Sequence, residues 1–275
     1  MEIIIVNIID GGVSRKMKIA LYQMNIIWEN KEANYLRLEE KLKSMSERQI
    51  DLFLLPEMSF TGFSMNTDIT KENDFRTINQ MISYSKLYNM TIGFGWVKDC
   101  GEKSENHYSI VSKNGEILSD YVKIHPFSYS GEDKKFQGGK DVVVFRLGNT
   151  DFSNFICYDL RFPEIFQIAS KKADVILVPA NWPKTRNHHW KCLLQARAIE
   201  NQVYVIAINC VGDIGGIEYS GNSCVINPNG EVLLEFSQQE GILEYELKNN
   251  VISIRENFPI KDDRRERLYK DLYDI

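Results

Sequence analysis

Three short segments of this chain are apolar on both faces: Asp51-Leu52-Phe53-Leu54-Leu55, Asp174-Val175-Ile176-Leu177-Val178 and Val203-Tyr204-Val205-Ile206-Ala207-Ile208. A strand with one wet face alternates polar and apolar side chains, so a strand that does not alternate has to be covered on both sides. These runs therefore demand sheets sandwiched between other layers. Further strand-like runs, rich in Ile, Val, Phe and Tyr, fall at 18–23, 91–97, 108–112, 116–122, 142–147, 152–157, 220–226, 232–236 and 242–246. Helical spacing supplies the covering layers. It brings Tyr35, Leu36, Leu38, Leu42 and Met45 near one face, then Ile78, Met81, Ile82 and Leu87. Two later helices are expected at 163–171, with Pro163 in its first turn, and at 187–201. Asn114-Gly115 and Asn227-Pro228-Asn229-Gly230 mark hairpins. Helices that alternate with strands in places, and hairpins in others, predict an α/β fold with a mixed sheet system and helices outside.

A chain of 275 residues can bury such a core without staples, and no linker, repeat or low-complexity stretch divides it. We expect one domain over 17–275, with a polar tail from about Arg255 that contains the mixed-charge run Lys-Asp-Asp-Arg-Arg-Glu-Arg at 261–267. Met17 reads as a natural start, because a strand opens there. Gly11-Gly12-Val13 can be encoded by GGAGGTG, which resembles a ribosome-binding site just upstream of the Met17 codon. Residues 1–16 are thus expected to be a mis-assigned extension, and their codons test this. The net charge of −5 disfavours nucleic-acid or anionic-membrane partners. No apolar run approaches the ~20 residues of a membrane span. Cys100, Cys157, Cys192, Cys210 and Cys224 are odd in number, widely spaced and form no CxxC pair, so a reducing, cytoplasmic setting is expected and no metal site.

Chemistry in open α/β sheets collects beyond the carboxyl ends of strands. Three strands end in a reactive residue: Glu57 in Leu-Leu-Pro-Glu-Met, Lys123 in Tyr-Val-Lys-Ile-His-Pro, and Cys157 in Phe-Ile-Cys-Tyr-Asp-Leu-Arg-Phe-Pro-Glu. Taken singly, each has an ordinary explanation: a loop glutamate, a snorkelling surface lysine, a buried structural cysteine. Cys157, however, sits where a strand passes through a turn into a helix, the geometry of a nucleophile elbow. A helix N-terminus and a nearby Lys⁺ would both lower its thiol pKa. Together the three make a nucleophile, a base and a cation without a histidine. No histidine block sits where a papain-like dyad needs one.

These blocks resemble the nitrilase superfamily, the carbon–nitrogen hydrolases with a Glu–Lys–Cys triad. The spacings 123 − 57 = 66 and 157 − 123 = 34 residues look normal for it. The runs at 173–183, 188–212 and 219–233 match further family blocks, so the resemblance spans nearly the whole chain. It implies a four-layer α-β-β-α sandwich of the carbon–nitrogen hydrolase type and a homodimer or higher oligomer joined through the helices near 161–171 and 187–201. It also implies a small-molecule amide substrate and no metal or organic cofactor. By the same resemblance Cys157 attacks the amide carbonyl, Glu57 is the general base, and Lys123 with the backbone N–H of Tyr158 holds the oxyanion. Glu132, 132 − 123 = 9 residues after the lysine, matches a second family glutamate that orients it. His125, His188 and His189 are read as structural or surface residues.

Pro-Glu-Met-Ser-Phe-Thr-Gly-Phe-Ser, Asn-Trp-Pro and Gln-Ala-Arg-Ala-Ile-Glu-Asn-Gln look most like the ω-amidase group, which deamidates ω-amides of dicarboxylates such as 2-oxoglutaramate and 2-oxosuccinamate. An anionic substrate needs a cationic subsite, for which Arg161, Lys184, Arg186 and Lys134 or Lys135 are candidates. Arg161 in this motif more often pairs with a carboxylate. Phe63, Phe127, Tyr129 and Trp182 are candidate pocket walls. The loop after Lys123 departs from the ω-amidase pattern, which keeps an N-carbamoyl or other aliphatic amidase as the alternative. A catalytically silent metabolite-binding or scaffold protein is the reading from outside enzymology.

Overall fold

The computed structural model describes residues 16–273. Thirteen strands are found among them: β1 (Met17–Gln23), β2 (Leu52–Leu54), β3 (Thr91–Asp99), β4 (Ser104–Val111), β5 (Ile117–Val122), β6 (Val144–Leu147), β7 (Thr150–Asn154), β8 (Val175–Ala180), β9 (Tyr204–Asn209), β10 (Val211–Ile214), β11 (Ile217–Ile226), β12 (Val232–Ser237) and β13 (Gly241–Leu247). The helices are α1 (Lys31–Met45), α2 (Thr67–Thr70), α3 (Arg76–Tyr88), α4 (Glu132–Lys135), α5 (Pro163–Ala169), α6 (Asn187–Asn201), α7 (Val251–Asn257) and α8 (Glu266–Tyr273). One sheet has the order β13-β1-β2-β3-β4-β5, the other β10-β11-β9-β8-β7-β6 with β12 also paired to β11. Each is built on three adjacent parallel strands, β1-β2-β3 and β7-β8-β9, with antiparallel strands on the flanks.

The period-two rule of a strand builds the layers. Ile19, Leu21, Leu52, Leu54, Tyr108 and Ile110 point into a core shared with Phe152, Val175 and Leu177 of the second sheet. Their neighbours Ala20, Tyr22, Phe53, Ile92 and Phe94 point the other way, onto Tyr35, Leu38 and Leu42 of α1 and Ile78 and Met81 of α3. On the far side, Phe166 of α5 and Trp190, Leu194 and Ala198 of α6 are buried in the core of the second sheet. The result is the expected four-layer α-β-β-α sandwich. Leu36 and Leu87, expected on the apolar faces of α1 and α3, are exposed instead, as is Ile168 on α5. The Asn114-Gly115 and Asn229-Gly230 turns connect β4 to β5 and β11 to β12, and Gly115 and Gly230 both have positive φ.

Residues 1–15 of the expected extension lie outside the described residues. The region after Arg255 does not hang free. Arg255 donates to Ala173 O at 3.0 Å and Arg264 to Glu200 O at 2.6 Å, with Lys261 on Ser170 O, so cations sit on carbonyls at the carboxyl ends of α5 and α6. The 261–267 run is therefore partly buried, and α8 begins only near its end, at Glu266.

Candidate active site

Glu57 leaves the carboxyl end of β2 through a turn that needs a glycine on the neighbouring strand. A Cβ on Gly95 would lie 2.3 Å from Met58 N and 2.9 Å from Glu57 C, closer than any side chain can approach. With no side chain there, the Glu57 turn packs against β3. Ser59 closes it, donating its hydroxyl to Pro56 O at 2.6 Å and accepting from Gly95 N at 2.9 Å. The Glu57 carboxylate is fully buried. Its Oε1 accepts from Lys123 Nζ at 2.8 Å and from Asn106 Nδ2 at 2.8 Å, and its Oε2 from Asn181 N at 2.9 Å. Asn181 also donates its side chain to Glu57 O at 2.6 Å. A buried charge is tolerated because each carboxylate oxygen is met by a donor.

Lys123 follows β5 directly and is 1% exposed. Besides Glu57 it contacts Glu132 at 2.9 and 3.1 Å. Burial alone would depress its pKa, but the charges of Glu132 and Glu57 outweigh that and raise it, so the ammonium stays charged. Glu132 is raised in turn, first by burial and then by the Glu57 charge, with Lys123 opposing. Its Oε2 also accepts from Phe127 N at 2.5 Å, which ties the loop after Lys123 to the lysine itself.

Cys157 lies three residues beyond β7 and opens a 3₁₀ turn, Cys157–Arg161, that precedes α5. The expected strand to residue 157 ends early, at Asn154. Cys157 has φ 47°, the left-handed region that non-glycine residues rarely occupy. Asp159 holds the bend. Its two oxygens accept from His125 N at 2.9 Å, His125 Nδ1 at 2.8 Å, Tyr121 OH at 2.8 Å and Ile156 N at 3.0 Å. His125 thus pins the lysine loop to the cysteine turn, a structural role. Asp159→Asn replaces an acceptor facing two donors by an amide donor. It is expected to cost on the order of 3 kcal/mol, two charge-assisted bonds at about 1.5 kcal/mol each, readable by urea denaturation. The thiol is not activated at rest: burial first and the Glu57 charge second push it well above the ordinary cysteine range, and Lys123 only partly offsets them. Lys123 lowers the thiol, as the sequence led one to expect, but burial of the sulfur and the Glu57 charge outweigh that cation.

Cys157 and Lys123 lie on the wall of a cavity of about 300 Å³. Phe63, Phe127, Tyr129 and Trp182 all line it, with Tyr158, Asn181, Arg161, Arg186, Ile217 and Tyr219. Lys123 Nζ lies 5.2 Å from the Phe63 ring centre. Of the candidate cations, Lys184 is paired with Glu218 at 2.5 Å, and Lys134 and Lys135 are exposed on α4, away from the cavity lining. Arg161 does not pair with a carboxylate among the described residues. It lies over Trp182, 4.8 Å from the ring centre, and Arg186 lies 5.3 Å over Phe127, likewise without a carboxylate. Sequence reading missed Asn106, Asn181 and Tyr219. Asn181 ends β8 in Val-Pro-Ala-Asn-Trp-Pro and was findable by the same strand-end rule; Asn106 and Tyr219 sit within strands and carry no such signal. No group of His, Cys, Asp and Glu suited to a metal ion occurs among the described residues.

Residues 18–256 match the carbon-nitrogen hydrolase family model. The chain belongs to the carbon–nitrogen hydrolase family. It is similar to the 2-oxoglutaramate amidase of Bacillus subtilis strain 168, with 34% identity over 92% of this chain and 100% of that protein. It is similar also to the omega-amidase YafV of Yersinia enterocolitica, with 34% identity over 90% of this chain and 96% of that one. Among solved structures, XC1258 from Xanthomonas campestris, a CN-hydrolase superfamily protein with an arsenic adduct in its active site, superposes with a TM-score of 0.85. It shares 27% identity, over 91% of this chain and 97% of that one. This carbon–nitrogen hydrolase is accordingly an amide-hydrolysing enzyme, and the cluster just described is its candidate active site.

Proposed function

We propose that this enzyme hydrolyses the terminal amide of small ω-amides of dicarboxylates, such as 2-oxoglutaramate or 2-oxosuccinamate, and releases ammonia. The observation that carries this reading is one cavity with both halves of the required chemistry on its walls. Cys157 and Lys123 supply the reacting end, and the guanidiniums of Arg161 and Arg186, unpaired with any carboxylate among the described residues, supply a seat for an anion. The omega-amidases and 2-oxoglutaramate amidase to which the chain is similar point to the same substrate class.

In this mechanism Cys157 Sγ attacks the amide carbonyl as Glu57 takes its proton. The thiol is held protonated at rest, so proton loss accompanies attack rather than preceding it. Lys123 and the backbone N–H of Tyr158 stabilise the tetrahedral oxyanion. Glu57 returns the proton to the leaving nitrogen, then draws one from the water that attacks the thioester and passes it to the departing Cys157 sulfur, which restores the thiol. Glu132 holds Lys123, and no metal or cofactor takes part. The reading includes a single catalytic domain over 17–275, a homodimer or higher oligomer and a cytoplasmic site of action. No helix among the described residues is long and apolar enough to cross a membrane.

A panel of ω-amides, N-carbamoyl compounds, neutral aliphatic amides and nitriles, scored for ammonia, tests the substrate class. Arg161→Ala and Arg186→Ala are each expected to raise KM for an ω-amide acid about 10- to 100-fold, the loss of one charge-assisted contact of about 1.5–3 kcal/mol. Turnover of a neutral amide of equal length should stay within about twofold, since that substrate makes no ionic contact. Preference for N-carbamoyl substrates or neutral amides over ω-amide acids would overturn the assignment. Absence of ammonia from every compound would favour a metabolite-binding role.

A further inference from the structure

We infer that Asn106 is a positioning residue for amide hydrolysis, whose side-chain nitrogen braces Glu57 and Glu132 on either side of Lys123 so that the carboxylate pair can receive the Cys157 proton. The inference rests on the reading of Glu57 as the general base. Asn106 lies on β4, one residue from the pairing of His107 with Val122 on β5, and its carbonyl accepts Lys123 N at 2.9 Å. It is 1% exposed. Its Nδ2 donates to Glu57 Oε1 at 2.8 Å and to Glu132 Oε1 at 3.1 Å, the same two oxygens that Lys123 Nζ meets at 2.8 and 3.1 Å.

The other half of the amide decides what the side chain is for. Asn106 Oδ1 is buried and has no hydrogen-bond partner among the described residues. An asparagine kept for its own packing would satisfy its carbonyl, because an unpaired buried acceptor costs about 1–3 kcal/mol. Turning the amide over would only worsen matters by aiming that oxygen at two carboxylates. The side-chain amide serves as a pair of donors. The electrostatics explain the need. Glu57 faces Lys123 from the end of β5, Glu132 from α4 and Cys157 from its turn, with Cys210 after β9 and Tyr219 on β11 also within its field. Lys123 is the one cation in that set, and it is shared by two buried acids. Like charges this close resist joint ionisation unless donors stabilise them. Asn106 supplies two such donors without adding a charge, which a second lysine would do at the risk of immobilising the base.

The test uses the full chain with Asn106→Ser, Asn106→Ala and Asn106→Asp. It reads kcat/KM against pH on 2-oxoglutaramate, and the rate of iodoacetamide alkylation of the Cys157 peptide against pH by mass spectrometry. The acid limbs of both profiles are expected to move up together. Asn106→Ala should shift them by about one pH unit, a tenfold change in the proton affinity of the pair. Asn106→Asp should shift them further, because it removes both donors and adds a third carboxylate, and Asn106→Ser should fall between alanine and wild type, since its hydroxyl restores one donor. KM should change less than about twofold. Profiles that keep the wild-type limb, whether activity falls uniformly or not at all, would overturn the inference and leave Asn106 a packing residue. If Asn106→Asp does not fold, the serine and alanine variants decide. Glu57→Gln separates the two levels: its retention of turnover sinks the base assignment and this inference with it, whereas an inactive Glu57→Gln beside an unshifted Asn106→Ala sinks this inference alone.

Discussion

Cys157→Ala is expected to lower ammonia release by about 10⁴-fold or more, the scale on which removal of a covalent nucleophile acts. The protein should remain folded. The sulfur contacts Asn181 O at 3.8 Å and the Glu57 carboxylate, neither of which holds an element in place, and the φ of 47° at this position is as uncomfortable for cysteine as for alanine, so the exchange adds no backbone strain. Cys157→Ser should be almost as inactive. A hydroxyl is a far weaker acid than a thiol, and the burial and Glu57 charge that already push the thiol upward would oppose its ionisation as well. The measurement is single-turnover ammonia release on the ω-amide, with thermal melts alongside. A Cys157→Ala protein that keeps more than about a hundredth of wild-type activity would end the covalent mechanism.

Lys123→Met is the second large effect, and it strikes stability as well as turnover. The side chains are of similar length, so the loss is one of charge. Glu57 and Glu132 would then be two wholly buried carboxylates facing each other, left with the neutral donors Asn106, Asn181 N, Phe127 N and the Cys157 thiol among the described residues. Removing one partner of a buried ion pair costs about 3–5 kcal/mol. The pH dependence has a definite sign. Without Lys123, the native state holds protons on this pair more tightly than the unfolded chain does. The folded form therefore binds more protons, and its stability falls as pH rises through the usual carboxylate range and beyond. Urea midpoints should recover as pH is lowered from about 8 to about 5, and by more than in the wild type, where Lys123 opposes the rise at Glu132. A midpoint for Lys123→Met that is equal to wild type at about pH 8 would mean that the pair is not ionised there, and the charge argument for the site would fail. Turnover should drop by at least the 10²- to 10³-fold that one oxyanion donor is worth.

Several parts of this molecule were legible in the one-dimensional text. Asp51-Leu52-Phe53-Leu54-Leu55 and Val203-Tyr204-Val205-Ile206-Ala207-Ile208 announce strands covered on both faces, and those strands do lie inside a four-layer sandwich. Glu57 and Lys123 each follow the carboxyl end of a strand, the position where side chains from different strands can meet. Leu36 and Leu87 were less legible. Helical spacing shows that a residue lies near an apolar face but not where that face stops, and both are exposed in the chain. The boundary at Cys157 was misjudged for a related reason. Phe155 and Ile156 are as apolar as the strand before them, and only the hydrogen bonds of Asp159 to Ile156, Tyr121 and His125 end the ladder there.

Local pattern determined the layers, the order of the elements and which reactive side chains stand at strand ends, because periodicity and turn chemistry act between residues close in sequence. Tertiary structure alone decided the ionic state of the site. Whether Lys123 stays charged, whether the Cys157 thiol rests protonated, and that Asn106 donates to Glu57 and Glu132 at once all depend on groups 9 to 100 residues apart in sequence (132 − 123 = 9, 157 − 57 = 100) brought together in a largely buried site. Desolvation and Coulomb energy are set by that three-dimensional neighbourhood, and no property of the neighbouring letters encodes it.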